Sequence, residues 1–406
     1  MKRFLTTLAL LLPLIAGAQS QTLRIDYIFS GTDKTQEIAL DEMSVQDGWA
    51  GRRVNLDTLL LRGNGQLHMM DAETGKVLWC QSFSTLFQEW QTTEEATRVR
   101  KSFENVFLLP MPEKKAWVEV RLFDVHNQIS AEFRHLVDPS DILIRKREAS
   151  KVPECKYIHR AGSTEECIDI AIVAEGYTKA ERKLFYRDAR IAVESFFRHE
   201  PFASDKDKLN FLAVALESED SGVSVPGKGL WKNTALASNF DTFYSDRYLT
   251  TFRMKKMHDA LTGVPFEHII ILANTDTYGG GGIYNLYMLT TAHHPGFKPV
   301  VVHEFGHSFA GLADEYYYDD MYTQFYYPGI EPWEPYITTQ TDFAAKWKDL
   351  MDAGKAGLYE GGGYQSKGVW RPAEDCRMKT NRCPRFCPVC ERAIQRMIDY
   401  HLIPLK

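Results

Sequence analysis

Residues 303–307 read His-Glu-Phe-Gly-His, and a short apolar run, Val300-Val301-Val302, leads directly into them. Residues four positions apart lie on one face of an α-helix, so His303 and His307 can reach the same metal ion. Glu304 follows the first histidine, as expected of a carboxylate that polarises a metal-bound water and does not bind the metal itself. The stretch therefore predicts a zinc-binding helix with Glu304 as the catalytic residue. The alternative is a pair of ordinary surface or core histidines.

A metal held by two histidines needs a further protein ligand, with one position left open for water. Gly311 offers a stop for the helix, because glycine accepts the left-handed conformation that reverses the chain. Asp314 lies three residues past this stop. We predict Asp314 as the third metal ligand. Glu315 is its closest rival, and Glu331 and Glu334 are more distant alternatives.

This spacing is similar to the metzincin pattern H-E-x-x-H-x-x-G-x-x-H, whose third ligand also lies three residues after the glycine. Here the helical segment is one residue longer, the ligand is aspartate, and Ala313 stands where strict spacing would place a histidine. Metzincins also carry a methionine on a tight turn below the metal. Met378, in the polar stretch 371–378, fits this role. The alternative for Met378 is ordinary core packing.

Four consecutive glycines, residues 279–282, come shortly before the predicted zinc helix. The alternating run after them, residues 283–288, predicts a strand. In zinc peptidases that this pattern resembles, an edge strand beside the cleft binds the backbone of an extended substrate. The phosphate-loop spacing is absent from this glycine run. Among Tyr316, Tyr317 and Tyr318, one side chain could donate a hydrogen bond to a transition-state oxyanion, while the others are expected to pack.

The chain has 406 residues, which is long enough for two domains with hydrophobic cores. Hydrophobic residues make up 44% and charged residues 25%, as in soluble globular proteins. The formal net charge is -6 and there is no basic stripe, so we expect no nucleic-acid partner.

Residues 1–18 predict a signal peptide: Lys2-Arg3 is a positive segment, Phe4 to Ile15 is apolar, and Ala16-Gly17-Ala18 is a cleavage site. No later run is apolar enough for a membrane span. We therefore expect a periplasmic or extracellular protein. In an oxidising compartment, cysteines favour disulfides over structural zinc sites.

The chain has seven cysteines. Cys155 and Cys167 are close enough in sequence to pair, which leaves Cys80 unpaired. The remaining four lie near the C-terminus and allow three disulfide connectivities; they are Cys376, Cys383, Cys387 and Cys390. Their spacing also resembles a zinc knuckle, which we hold as the alternative.

Two domains follow from the pattern. Residues 19–147 predict an all-β, sandwich-like N-terminal domain, because short alternating strands are separated by turn signals. The charged stretch Arg145 to Glu148 is the expected linker. Residues 148–406 predict the zinc metallopeptidase domain, in which strands alternate with helices as in an α/β layer.

The same patterns predict the individual elements. The predicted strands are Leu23–Tyr27, Gln66–Met69, Val77–Trp79, Trp117–Leu122, Ile129–Val137, Ile168–Val173, Phe211–Leu216 and Ile269–Leu272. Helices are predicted after the capping box Thr178–Glu181 and at Phe252–Leu261, and Thr93–Lys101 is predicted as a short helix or a loop.

Several segments together resemble the IgA-peptidase family of secreted bacterial zinc metallopeptidases. They are residues 170–177, 279–284, 303–316 and 370–390, and the N-terminal β domain is similar to the one that precedes the catalytic domain in family members. The resemblance implies that His303 and His307 bind zinc, that Glu304 is the general base and that Asp314 is the third ligand. It also implies an α/β zincin (metzincin-like) catalytic domain. We do not infer from the family name that immunoglobulin A is the substrate.

We therefore expect a secreted zinc-dependent endopeptidase that acts on a protein or peptide substrate, with no membrane partner. The oligomeric state does not follow from the sequence. One alternative is an exported binding or adhesion protein with a vestigial zinc site. The other is a zinc amidase that acts on cell-wall peptides.

Overall fold

The computed structural model describes residues 21–148, 152–319 and 324–405. The predicted signal peptide, residues 1–18, lies outside the described residues. The described residues form four β-sheets and six α-helices, so the protein is a mixed α/β chain. None of the helices in these ranges combines the length and the apolar character that crossing a membrane requires.

The N-terminal region contains two four-stranded sheets, ordered β5-β1-β2-β8 and β4-β3-β6-β7. Apolar side chains from both sheets, such as Ile25 and Val120, belong to one core cluster. The strands are β1 (Gln21–Gly31), β2 (Gln36–Asp47), β3 (Gly65–Asp71), β4 (Val77–Phe83), β5 (Lys101–Pro110), β6 (Ala116–Phe123), β7 (Ile129–Val137) and β8 (Arg145–Lys146). The five strands predicted in this region are confirmed, while β2, β5 and β8 were not predicted.

Two predictions about this region can be given in more detail. The predicted linker, Arg145 to Glu148, includes the short strand β8, which pairs in parallel with β2 at Ser44 and Val45. The segment Thr93 to Lys101, predicted as a short helix or a loop, contains a 3-10 turn at Glu95–Thr97, and the α-helix α1 (Leu86–Trp90), which was not predicted, precedes it. Thr85 caps α1, because its hydroxyl accepts the Gln88 N–H, a local contact that sets where the helix starts.

The central sheet has six strands in the order β13-β14-β12-β10-β11-β9. Its inner four strands run parallel and its two edge strands are antiparallel. Every residue of β10 is buried, as expected for a parallel strand covered on both faces. The strands are β9 (Glu154–His159), β10 (Ile168–Glu175), β11 (Leu209–Ala215), β12 (His268–Ala273), β13 (Gly280–Ile283) and β14 (Tyr287–Thr291).

The two faces of the central sheet belong to different cores. Ile170 and Ile172 of β10 pack with the helices, whereas Ala171 and Val173 join the core of the N-terminal region. This division follows from the two-residue period of a strand. The remaining elements are α2 (Arg182–Phe196), α3 (Met254–Ala260), α4 (Phe297–Ala310), α5 (Lys348–Asp352), α6 (Pro388–Leu402), and a small sheet of β15 (Tyr317–Tyr318), β16 (Tyr359–Gly362) and β17 (Tyr364–Arg371) in the order β15-β17-β16.

The expected disulfides are not formed. All seven cysteines, which all lie in the described ranges, are free thiols. The Cys155 thiol donates to the Pro153 carbonyl, and the Cys167 thiol faces the Asp207 carbonyl. The predicted pairing of Cys155 with Cys167 was therefore wrong.

Candidate metal centre

The helix α4 presents the His-Glu-x-x-His motif, as predicted. It ends at Gly311, whose φ of 61° lies in the left-handed region. The Gly311 N–H donates to the His307 carbonyl, and the Leu312 N–H donates to the Gly306 carbonyl. A side chain at Gly311 would also meet the Trp333 ring at 2.7 Å. The predicted helix stop is thus confirmed, and it turns the chain back toward the histidines.

The hydrogen bonds of the two imidazoles fix which nitrogen faces inward. His303 Nδ1 lies 3.0 Å from the Arg377 carbonyl oxygen, and His307 Nδ1 contacts the Leu312 carbonyl oxygen. A carbonyl oxygen only accepts, so each Nδ1 carries a hydrogen and each Nε2 faces inward, where its lone pair is available to a metal when the ring is neutral. The two Nε2 atoms are 3.0 Å apart. This is the tautomer that metal-binding histidines adopt.

Asp314 completes the group of inward-facing atoms. Its Oδ1 lies 3.0 Å from His303 Nε2 and 3.3 Å from His307 Nε2. The same oxygen is buried and has no hydrogen-bond partner among the described residues. Zinc–nitrogen bonds of about 2.0–2.1 Å place tetrahedral ligands about 3.3 Å apart. The three atoms thus have the chemical type and the spacing of a zinc ligand set.

Electrostatics at this point favour a positive charge. Burial by itself lowers the pKa of His307, but the Asp314 carboxylate and Glu304 raise it to about 9. Burial by itself raises the pKa of Asp314, but His307 and His303 hold it well below its ordinary value. The group therefore stabilises a cation between the two rings and the carboxylate.

Glu304 lies beside the histidines and against the glycine strand. A Cβ at Gly280 of β13 would lie 3.1 Å from Glu304 Oε1. One ring nitrogen of His303, one ring nitrogen of His307 and one carboxylate oxygen of Glu304 lie within 4.8 Å of one another. Burial raises the pKa of Glu304, and the two histidines oppose this shift. A carboxylate of raised basicity beside a cation site can take up and release a proton.

The glycine run itself forms β13, which corrects the predicted strand over residues 283–288. In the structure the chain turns at Asn285 and continues as β14. A Cβ at Gly282 would lie 2.3 Å from the Glu304 carbonyl oxygen and 2.9 Å from His307 Cβ. The strand can lie this close to α4 only because it has no side chain at that position.

The tyrosines divide by position. Tyr317 and Tyr318 are exposed on β15, whereas the Tyr316 ring packs on Tyr364 with centroids 5.4 Å apart. The Tyr364 hydroxyl donates to Asp314 Oδ2. Tyr364 escaped the sequence reasoning. The glycines at 361–363, directly before it, are the signal that could have found it, since the Gly363 N–H donates to the Asp314 carbonyl.

Met378 lies in a turn beneath α4. Its side chain is fully buried, and a Cβ at Gly306 would lie 2.9 Å from its sulfur. The neighbouring Arg377 carbonyl binds His303, and the Met378 carbonyl accepts the Glu315 N–H. The turn therefore supports both the histidine helix and the segment that carries Asp314.

The other carboxylates point elsewhere. Glu315 is buried against Cys390, with Oε1 and Sγ 3.7 Å apart. Glu331 forms an ion pair with Lys346, and Glu334 accepts the Tyr326 hydroxyl. Among the four carboxylates considered, the structure thus brings only Asp314 to the histidines.

One residue near the site comes from the N-terminal region. Glu89 of α1 accepts a hydrogen bond from the Tyr248 hydroxyl, and the charges of His307 and Asp314 influence its pKa. Burial raises the pKa of Glu89 to about 7. No local motif marks this residue, because its position depends on how the two regions pack.

Comparison with known proteins gives the family. A family model described as IgA Peptidase M64 matches residues 157–356 and 352–398, and one described as Peptidase M64 N-terminus matches residues 16–134. Curated proteins give no match. Because the first model covers more than half of the chain and includes the whole His-Glu-x-x-His helix, the chain belongs to the IgA peptidase M64 family and is a peptidase of the metallopeptidase type.

Proposed function

We propose that the protein is a zinc-dependent endopeptidase that hydrolyses peptide bonds in proteins. The observation that carries this proposal is the convergence of His303 Nε2, His307 Nε2 and Asp314 Oδ1 within 3.3 Å. Two imidazoles and a carboxylate are a known ligand set for catalytic zinc and leave one coordination position open. These three residues would hold the zinc.

Zinc at such a site supplies Lewis-acid chemistry and makes water acidic enough to act as a nucleophile near neutral pH. Glu304 would take the proton from the attacking water and pass it to the leaving amine. Its burial and its contact with β13 hold the carboxylate in place for both transfers. Tyr316, packed against Tyr364, is the tyrosine best placed to donate to the developing oxyanion.

The edge strand β13 suggests how an extended substrate would bind. It pairs with β14 on one side and lies against α4. A peptide added along its other edge would run beside Glu304. The loop Arg247–Tyr248 contacts this edge at Gly280, which would limit how far the substrate extends in that direction.

The finer architecture belongs to the same proposal. We interpret residues 148–406 as a metzincin-like zincin domain, supported by the Gly311 turn, the antiparallel edge strand and Met378 beneath the helix. Residues 19–147 form the sandwich-like domain, supported by two sheets that share one core. Removal of residues 1–18 on export would place the enzyme in the periplasm or outside the cell.

Glu304→Gln tests the function. The variant should retain zinc, because Glu304 is not a ligand, and should lose at least about 100-fold in kcat, the usual scale of general acid–base catalysis. Casein and a mixed-peptide library serve as substrates, and zinc is measured by mass spectrometry. His294→Asn is the matched control, since His294 bonds only to Gly296 within the described residues.

Normal turnover in Glu304→Gln would contradict the mechanism. Zinc-replete wild-type protein that cleaves neither proteins nor peptides would contradict the endopeptidase assignment. Release of products from muropeptides alone would replace that assignment with a cell-wall amidase.

A further inference from the structure

Directly behind the candidate metal centre, three cysteines and a glutamate form a buried cluster. Cys376 precedes the Met378 turn, Cys387 caps the start of α6, and Cys390 lies in its first turn. Glu315 follows the candidate ligand Asp314. The side chains of all four are at most 5% exposed. Free cysteines and a carboxylate gathered in this way belong to neither the histidine site nor the substrate cleft.

The distances within this cysteine cluster are those of metal ligands. Cys387 Sγ and Cys390 Sγ are 3.5 Å apart, and Cys376 Sγ and Cys390 Sγ are 3.8 Å apart. Glu315 Oε1 lies 3.7 Å from Cys390 Sγ. Zinc–sulfur bonds of about 2.3 Å place tetrahedral sulfurs about 3.8 Å apart. A disulfide would instead require about 2.05 Å.

Glu315 provides a second, independent indication. Its Oε2 is buried and has no hydrogen-bond partner in the part of the chain that the structure describes, while its Oε1 faces a thiol. The positive charge of the Arg371 guanidinium favours the ionised form of this carboxylate, but Arg371 Nη1 donates its hydrogen bonds to the carbonyl oxygens of Glu360 and Gly361. A buried carboxylate with an unpaired oxygen is costly unless a cation binds it.

We propose that Cys376, Cys387, Cys390 and Glu315 bind a second zinc ion. Three thiolates and one carboxylate complete a tetrahedral set with no position open, which is the arrangement of a structural site. The pair Cys387-x-x-Cys390 at the start of a helix brings two sulfurs to one point, and the Cys387 N–H also donates to Cys376 Sγ at 3.2 Å. The zinc-knuckle alternative for these cysteines thus replaces the expected disulfides, with Glu315 as the fourth ligand and Cys383 excluded.

This ion would join three segments that support the histidine site. The Glu315 N–H donates to the Met378 carbonyl at 2.9 Å, so the Asp314 segment and the Met378 turn already touch. Arg377, between Cys376 and Met378, binds His303 through its carbonyl. The second zinc would hold Asp314 and His303 in position from behind and would take no part in the chemistry. The proposal does not depend on the endopeptidase assignment.

The test measures zinc in the purified full-length chain after equilibration with zinc and removal of unbound metal. We expect two zinc ions per chain in the wild type and in Cys383→Ser, a control whose half-buried thiol lies outside the cluster. His303→Ala and Cys390→Ser should each retain one. If the wild type lacks only the ion at the histidines, the proposed function is contradicted and this inference stands. If the wild type lacks only the ion at the cysteine cluster, this inference is contradicted and the proposed function stands.

Two further measurements cover the case in which Cys390→Ser fails to fold. X-ray absorption at the zinc edge of His303→Ala, whose cysteine cluster is intact, should show sulfur neighbours at about 2.3 Å. Alkylation under denaturing, non-reducing conditions with chelator should modify all three cluster thiols. A zinc edge without sulfur neighbours, a single zinc bound only by the histidines, or a disulfide among the three cysteines would each overturn the proposal.

Discussion

At the scale of single residues, Asp314 determines the character of the site. Its Oδ1 faces both histidines, its Oδ2 accepts the Tyr364 hydroxyl, and its carbonyl accepts the Gly363 N–H. Every polar atom of the residue except the backbone N–H is thus committed to the site or to the segment that supports it. The carboxylate charge is also what raises the pKa of His307.

Asp314→Asn should therefore weaken zinc binding at the histidine site by at least about 100-fold, because the amide keeps the size of the side chain but removes the charged ligand. Zinc affinity is measured by competition with a chelator. Glu334→Gln is the control, since Glu334 is equally buried but bonds to Tyr326. Unchanged affinity in Asp314→Asn would show that another residue is the third ligand.

At the scale of elements, the site depends on the packing of β13 on α4. Side chains are excluded from this contact: a Cβ at Gly282 would lie 2.3 Å from the Glu304 carbonyl. A carbonyl oxygen within a helix cannot move without disturbing the hydrogen bonds around it. The four-glycine run is therefore a packing requirement of the site, and it brings a strand edge beside Glu304.

Gly282→Ala should destabilise the fold by about 1–3 kcal/mol, the cost of overpacking, and should lower kcat because Glu304 and His307 must shift. Urea unfolding and peptide hydrolysis measure the two effects. Gly362→Ala is the matched control, because an added Cβ there meets its nearest atom at an ordinary 3.7 Å. Equal stability and turnover in the two variants would mean that β13 and α4 are not in close contact.

At the scale of the whole molecule, the N-terminal region packs beside the metal centre. The Trp333 indole donates to Asn64 at 2.6 Å, and the Asn285 amide donates to the Ser82 carbonyl at 3.0 Å. Glu89 contacts Tyr248, whose ring lies against Gly281 of β13. The N-terminal region is thus in contact with the strand that would bind substrate.

Glu89 gives this contact a pH dependence. Burial raises its pKa to about 7, above the value of an exposed glutamate, so the folded chain holds a proton that the unfolded chain has released. Stability should therefore fall as pH rises from about 4.5 to about 7. Glu89→Gln, which stays neutral, should be more stable than wild type at pH 8 by an amount on the order of 1 kcal/mol, and equal to it near pH 4.5.

Thermal unfolding at both pH values measures this difference. Glu94→Gln is the control, since Glu94 is 83% exposed and should show no such effect. A stability difference between Glu89→Gln and wild type that does not change with pH would contradict the assignment.

Much of the fold and of the site could be predicted from the sequence alone, because the relevant signals are local. The four-residue spacing of His303 and His307, the helix stop at Gly311, and the alternation of β1 and β6 need only the geometry of one helix or strand. The helix α6 has an equally regular pattern at Val389, Ala393 and Met397 that the cysteines obscured.

Only the tertiary structure decided the contacts between segments that are distant in the sequence. The choice of Asp314 over Glu315 depends on which of two adjacent side chains faces the histidines. The prediction of disulfides was wrong. The distance between Cys376 Sγ and Cys390 Sγ depends on where the Met378 turn packs on α6, which the order of residues does not reveal. Tyr364 and Glu89 reach the site from 50 and 159 residues away in their contacts with Asp314 and Tyr248. Such contacts leave no periodic signal, because they are set by the packing of the whole core and not by the order of neighbouring residues.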